Sequence, residues 1–233
     1  MPNNVIEREH ELWYRRLFLP AYAVKDAARY SQTKPTTIND WYYGANPILT
    51  SKEQGKPLSY MQLIEVAFVA FFRRLKISMQ RIRKSKDYIA QNFAAEYPFA
   101  QYRFKTEGHH ILMEYLKLEP SDEFDKNNLI VTDSRGQLAW GSVISEKFAE
   151  FEYEHELALR WHPAGMTSTV LIDPRIAFGA PMVNGIPTWA IKGRWVAGEN
   201  IEEIQEDFEL DRRFIVDGLE FEGIILTDNA ILG

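Results

Sequence analysis

The residues best suited to chemistry lie between positions 24 and 86. The stretch AARYSQTKPTTINDWYYG, residues 27–44, reads as two short helices joined by a turn. Val24, Ala27, Ala28 and Tyr30 recur at helical spacing and give the first helix one apolar face. Pro35 is tolerated in the first turn of the second helix, and Ile38 and Trp41 supply its inward face. Gly44, followed by Pro47, ends it. Thr36, Thr37, Asn39 and Asp40 are left on the outward face, with Tyr42 and Tyr43 after them. Short hydroxyl and amide side chains can donate to phosphates and to base edges, asparagine favouring adenine. Downstream, RRLKISMQRIRKSK (73–86) carries Arg73, Arg74, Lys76, Arg81, Arg83, Lys84 and Lys86 and no carboxylate. Phosphate neutralisation dominates affinity for DNA. The pattern therefore predicts a helix-turn-helix that holds duplex DNA. Arg29, Lys34, Thr36, Thr37, Asn39 and Tyr43 would lie at its reading surface, and the 73–86 run on the backbone. The plainer alternative is a structural helical hairpin beside a solvated basic face.

Other chemistry has little support. His109 and His110 are adjacent on a predicted strand, so they point to opposite faces and cannot share a metal. His155, in EYEHE, lacks a second histidine at zinc-protease spacing. Asp133 and Asp173 sit beside turns or proline, where aspartate usually caps. A metal-dependent nuclease built on either is a remote option. There is no cysteine, no glycine-rich phosphate loop and no nucleophile elbow. No enzyme, metal or cofactor is expected.

The elements that must position these residues are readable in part. The 233 residues, 45% hydrophobic and 26% charged, suit one large domain or two small ones. The best helix is LSYMQLIEVAFVAFFRRL, apolar nearly all round, with a Ser59–Gln62 capping box and a Leu58–Leu63 staple. A second staple, Ile77 with Ile82 around Ser78, starts the next helix, whose buried side is Ile82, Ile89 and Phe93. Residues 46–57 read as a loop or small wing. HHILMEYL, NLIVTD, QLAWGSVI, ELALRWHP and STVLIDP read as strands, and MVNGIP as a hairpin with a type I′ Asn-Gly turn. Three helices close the chain, capped by Thr188, by Asn200 with Glu203, and by Asp211, the last with Phe214, Ile215 and Leu219 inward. The expected fold is α+β, mainly α. It divides into a helix-turn-helix domain at 1–105, a small antiparallel β region at 106–168 and a trihelical C-terminal domain at 169–233.

Charge is divided unevenly. Residues 145–233 hold seven Lys/Arg against 17 Asp/Glu, a net −10, and residues 1–144 carry +4. Phosphate would be repelled by the second trihelical unit. Glu202, Glu203, Glu206, Asp207, Arg212 and Arg213 are therefore expected to serve dimerisation or a protein partner. The N-terminus has charges where a signal peptide needs an apolar run, and the most apolar stretch, 63–72, is too short to span a bilayer. A soluble, cytoplasmic protein is expected.

Two segments resemble known modules. YAVKDAARYSQTKPTTINDWYYG with LSYMQLIEVAFVAFFRRLKISMQRIRKS resembles the MerR-like winged helix-turn-helix. VLIDPRIAFGAPMVNGIPTWAIKGRWVAGENIEEIQEDFELDRRFIVDGLEFE is similar to the domain-of-unknown-function 433 module. Gly179, Pro181, Gly185 and Pro187 match that module's loop, although Pro187 stands where the family often has arginine. The pair resembles large VapB-type antitoxins. The resemblance implies a type II antitoxin that neutralises a PIN-like ribonuclease toxin and binds operator double-stranded DNA to repress its own operon. A homodimer is expected, because pseudo-palindromic operators favour two-fold proteins. An acidic half could mask the basic RNA-binding surface of such a toxin. The alternative is a MerR-like ligand-responsive regulator, with Trp140, Phe148, Phe151, Tyr153 and Trp161 lining a pocket.

Overall fold

A 15-residue helix with almost no solvent-facing side organises the first half of the chain. The structure, a computed structural model, describes residues 12–49, 53–93, 96–100 and 146–226. It opens with α1 (Leu12–Arg16), α2 (Val24–Tyr30), α3 (Pro35–Tyr43), α4 (Tyr60–Arg74) and α5 (Met79–Phe93). In α4 every side chain from Tyr60 to Phe72 is buried. Its start is the capping box read from the sequence. Ser59 Oγ accepts from the Gln62 amide at 3.3 Å, and Gln62 Oε1 accepts from the Ser59 amide at 2.9 Å. Ser78 Oγ accepts from the Arg81 amide at 3.3 Å at the start of α5, and Ile77, Ile82 and Ile89 are buried as expected. Within 46–57 and 58 the described backbone forms a single bridge, Leu58 to Tyr22.

A hairpin, β1 (Phe151–Glu154) with β2 (Leu157–Trp161), packs on α4. Phe68 stacks on Phe151 at 4.8 Å, and Phe151 on Trp161 at 5.8 Å. Phe148 is 3% exposed and joins the same cluster at 5.3 Å from Phe68. This corrects the pocket expectation. Phe148, Phe151 and Trp161 fill the core instead of lining a ligand site, because α4 offers no polar face to stand against them. ELALRWHP supplies β2, whereas STVLIDP contributes only bridges, Ile172 to Trp161 and Leu171 to Met182. The strands expected from HHILMEYL, NLIVTD and QLAWGSVI, and Trp140 with them, lie outside the described residues.

The C-terminal unit begins with β3 (Met182–Val183) and β4 (Ile186–Pro187), joined through Asn184 and Gly185 at φ 46° and 86°, the signs a type I′ turn requires. Three helices follow, α6 (Thr188–Val196), α7 (Ile201–Phe208) and α8 (Arg212–Phe221). Val170, Val183, Ile191, Ile201, Ile204, Leu210, Ile215 and Leu219 form their core, with Phe214 half-buried at its margin. Asn200 and Glu203 cap α7 reciprocally, at 2.9 and 2.8 Å. The other two expected caps are corrected. Thr188 lies inside α6, fully buried, with its hydroxyl donating to Glu222 Oε1 at 2.6 Å. Asp211 occupies the N-cap position of α8 but makes no side-chain cap bond.

The two halves meet tightly at Gly179. Its φ is 76°, and a Cβ built there would lie 2.0 Å from the Tyr22 hydroxyl. That hydroxyl is buried and makes no hydrogen bond among the described residues. Gly179→Ala is expected to destabilise the protein by roughly 1–3 kcal/mol in urea unfolding. Tyr22→Phe alone should cost little, because no bond is lost, and it should shrink the Gly179→Ala penalty.

Candidate nucleic-acid and partner interfaces

The helical hairpin holds the geometry its sequence predicts. After Tyr30 the chain turns through Gln32 at φ 53°, with the Thr33 amide donating to the Ala28 carbonyl at 2.9 Å. Pro35 then opens α3 at a position whose amide would have no helical acceptor. Ile38 and Trp41 face inward. Lys34, Thr36, Asn39, Asp40 and Tyr43 are exposed, and Thr37 is half-buried. Asn39, Asp40 and Tyr43 also line a cleft of about 540 Å³ whose far wall is the Gln54–Pro57 loop.

The basic surface is smaller than the sequence suggests. Lys86 is 7% exposed; its ammonium donates to the Ile48 carbonyl at 3.0 Å and lies 3.4 Å from Glu65 Oε2. Arg81 is also 7% exposed. Neither side chain stands out towards a phosphate, because α5 turns both against the core. Arg73 donates to the Ile77 carbonyl at 2.5 Å, Arg74 to the Ser31 carbonyl at 2.6 Å, and Arg83 to the Asn46 carbonyl. A carbonyl carries no formal countercharge, although the Glu150 carboxylate acts on Arg74. Arg73, Arg74, Lys76 and Lys84 are exposed, and Arg83 is half-buried. Arg29 faces elsewhere. Its guanidinium donates to the Phe221 carbonyl at 2.9 Å and to Glu222 Oε1 at 3.3 Å, and lies over the Tyr30 and Phe221 rings at 4.9 and 5.0 Å. It clamps α2 to the end of α8.

The acidic unit is similarly tied to itself. Arg212 pairs with Glu202 at 2.5 Å, and Arg194 pairs with Asp207 and with Glu199. Glu203 is spent on its cap, and Arg213 donates to the Thr167 carbonyl at 2.6 Å. Glu206 is exposed with no ion pair among the described residues. Arginine contact holds the Glu202 carboxyl below the usual carboxylate range.

Sites for catalysis are not assembled among the described residues. Asp173 is 2% exposed and ion-paired to Arg175 at 2.7 Å. Arg175 also reaches Glu154 at 2.8 Å, and with Arg160 holds that carboxyl down at about 2. His155 stacks on Trp13 at 5.3 Å. No group of three metal-ligating side chains comes together among the described residues. His109, His110 and Asp133 lie outside them. No described helix is long and apolar enough to cross a membrane.

Sequence reasoning passed over a second cleft, of about 420 Å³, lined by residues of α2, Phe178, Trp189 and Glu222. Nothing in the sequence flags the left-handed backbone that turns Phe178 outward. Trp189 was readable only as one more aromatic in a helix.

The architecture is that of a two-core, mainly helical protein already known in crystals. The chain superimposes on the X-ray crystal structure of Rv2018 from Mycobacterium tuberculosis with a TM-score of 0.67, at 20% identity, covering 88% of this chain and 99% of that one. A likeness at that identity establishes a shared fold. The chain is also 22% identical over 229 residues to a curated Mycobacterium tuberculosis protein named "Putative antitoxin VapB45", covering 88% of this chain and 95% of the relative. No family model matches the chain.

The buried Glu65–Lys86 pair gives a measurable consequence. Burial raises the Glu65 pKa, while Lys86 and the Phe99 amide, which donates at 2.8 Å, hold it down. In Lys86→Met the Glu65 pKa rises further, so the folded state prefers a protonated carboxyl. That preference is satisfied below the unfolded value and becomes a penalty as pH climbs through the folded one. The substitution is expected to cost about 3–5 kcal/mol at pH 8 and less near pH 5, as read by urea unfolding at both.

Proposed function

We propose that this chain is the antitoxin of a type II toxin–antitoxin system. It binds and neutralises a PIN-like ribonuclease toxin in the cytoplasm, and as a homodimer binds operator DNA to repress its own operon. The observation that carries the reading is the relative named as an antitoxin, which aligns across 95% of its own length with 88% of this chain. An alignment of that span must reach into both halves of the chain.

The hairpin supports the DNA half of the proposal. α3 presents Thr36, Asn39 and Tyr43 to solvent beside Lys34, the kind of surface that enters a major groove and reads base edges. Arg73, Arg74, Lys76, Arg83 and Lys84 remain the candidates for phosphate contact. Lys86 and Arg81 are not among them, for the reason of burial already given. The net −10 of residues 145–233 supports the protein-binding half, because a nuclease surface that holds RNA must be basic. Glu206, exposed on α7 and without an ion pair among the described residues, is an acidic side chain available to it.

The deciding experiment mixes the chain with the product of the neighbouring small gene and assays RNA cleavage. Cleavage should fall stoichiometrically with added chain, and undiminished cleavage at excess would refute the antitoxin reading. Operator binding should weaken with salt. Lys34→Ala is expected to reduce the slope of log affinity against log salt by about 1. Asn39→Ala is expected to cost roughly 1–3 kcal/mol at the operator and much less on unrelated duplex, as measured by fluorescence anisotropy.

A further inference from the structure

Neither end of α3 is capped by a side chain of its own. Lys34 holds the N-cap position and makes no side-chain cap bond, and the C-cap residue is Gly44. Ile38, Trp41 and Tyr42 bury one face of the helix. Apolar contact is non-directional, so it sets how deep a helix lies. Its rotation and slide are set by hydrogen bonds, which need particular donors at particular places.

Three cations of the basic run supply such bonds, at both ends of α3. Before it, the Ser31 carbonyl lies past the last turn of α2, and Arg74 Nη1 donates to it at 2.6 Å. After it, the chain folds back so that the Ile48 and Leu49 amides both donate to the Trp41 carbonyl, at 2.9 and 3.0 Å. Arg83 Nη2 donates to the Asn46 carbonyl, and Lys86 Nζ to the Ile48 carbonyl at 3.0 Å. The end of α4 thus grips the turn that enters α3, and α5 grips the segment that leaves it. Both grips stand on well-packed ground. α4 is buried from Tyr60 to Phe72, and Lys86 is tied to it through Glu65.

The same geometry turns two of these side chains away from phosphate. Arg74 already feels the Glu150 carboxylate. Arg83 is half-buried, and its Nε is buried with no hydrogen bond among the described residues, so the side chain lies along the protein.

We infer that Arg74 and Arg83 are positioning residues for the DNA-reading surface: from the α4–α5 layer they hold the segments on either side of α3 and so set how Asn39 meets base edges. Lys86 serves the departing segment from its buried site. Arg73, Lys76 and Lys84 are then the cations of the run left for the DNA backbone. The inference rests on the DNA reading proposed above.

The experiment titrates the full chain by fluorescence anisotropy, over a salt series, against two duplexes. One is taken from immediately upstream of its own gene, and the other is a shuffled duplex of the same composition. The temperature is one at which circular dichroism shows the variants fully folded. Arg83→Met is expected to weaken binding to the upstream duplex at least about fivefold, the worth of a base contact misplaced. Affinity for the shuffled duplex, and the slope of log affinity against log salt, should match wild type. A phosphate contact would instead weaken both duplexes alike and reduce that slope by about 1. That result overturns the inference and leaves the DNA reading standing. Asn39 gives a second readout. In an Asn39→Ala background Arg83→Met should weaken upstream binding by a smaller factor than in wild type, because the contact it aims has gone. Equal factors in the two backgrounds overturn the inference. Arg74→Met, an exposed position at the opposite end of α3, should repeat the pattern, and it decides the matter where Arg83→Met does not fold. Absence of any duplex binding by the unsubstituted chain overturns the DNA reading and this inference together.

Discussion

Burial of α4 on every side is the constraint from which the rest of the N-terminal half follows. A helix surrounded by Phe68, Phe71, Phe72 and their neighbours leaves no water for a carboxylate, yet Glu65 sits at its centre, 2% exposed. A lone buried charge is far costlier than a paired one. Lys86 and the Phe99 amide meet that demand from α5 and from the turn at Pro98–Ala100. The pair therefore fixes how α5 lies against α4, and with it which face of the basic run reaches solvent. Arg81, Ser85 and Lys86 share the inward side, and Lys84 falls outside. A second buried cation repeats the device under the hairpin. Lys147, 4% exposed, pairs with Glu150 and lies 5.4 Å over the Phe151 ring, and burial pulls its pKa down.

Local chemistry was the part of this structure that the residues disclosed in advance. Both reciprocal caps form, at Ser59 with Gln62 and at Asn200 with Glu203, because each needs only a four-residue window. The Asn-Gly hairpin and the Pro35 start of α3 follow from the same short range. Apart from the Asp211 cap, what failed depended on distant residues. Thr188 reads as a cap until Glu222, 34 positions on, claims its hydroxyl. The aromatic residues 148–161 read as a pocket until α4, far upstream, fills the space between them. The basic run read as seven outward cations because a period-3.6 pattern shows which side chains share a face but not which ones a buried carboxylate will recruit. Asp26 and Trp189 are 163 positions apart, so no window could have brought them to one cleft.

Charge pairing also reshapes what the two halves offer. The C-terminal excess of carboxylates is real, but Glu199, Glu202 and Asp207 have arginine neighbours, and such exposed pairs contribute little to stability. Their effect is on the field, which they flatten at α7 and leave strongest where acids stand unpaired. At 73–86 carbonyl contacts fix Arg73, Arg74 and Arg83, and Glu150 acts on Arg74 as well. Each half thus presents fewer, better-held charges than its composition suggests.

Arg29 ties these halves together. Phe221 packs against both cores, and the guanidinium that grips its carbonyl comes from the helix leading into α3. The hairpin cannot tilt without dragging on the last turn of α8. Any occupant that favours one orientation of α2 must therefore, by reciprocity, feel the occupancy of the distal unit to the same extent in free energy. Arg29 thus acts beside the Tyr22–Gly179 contact and the Phe221 ring in joining the two cores, so that what binds at one end is felt at the other.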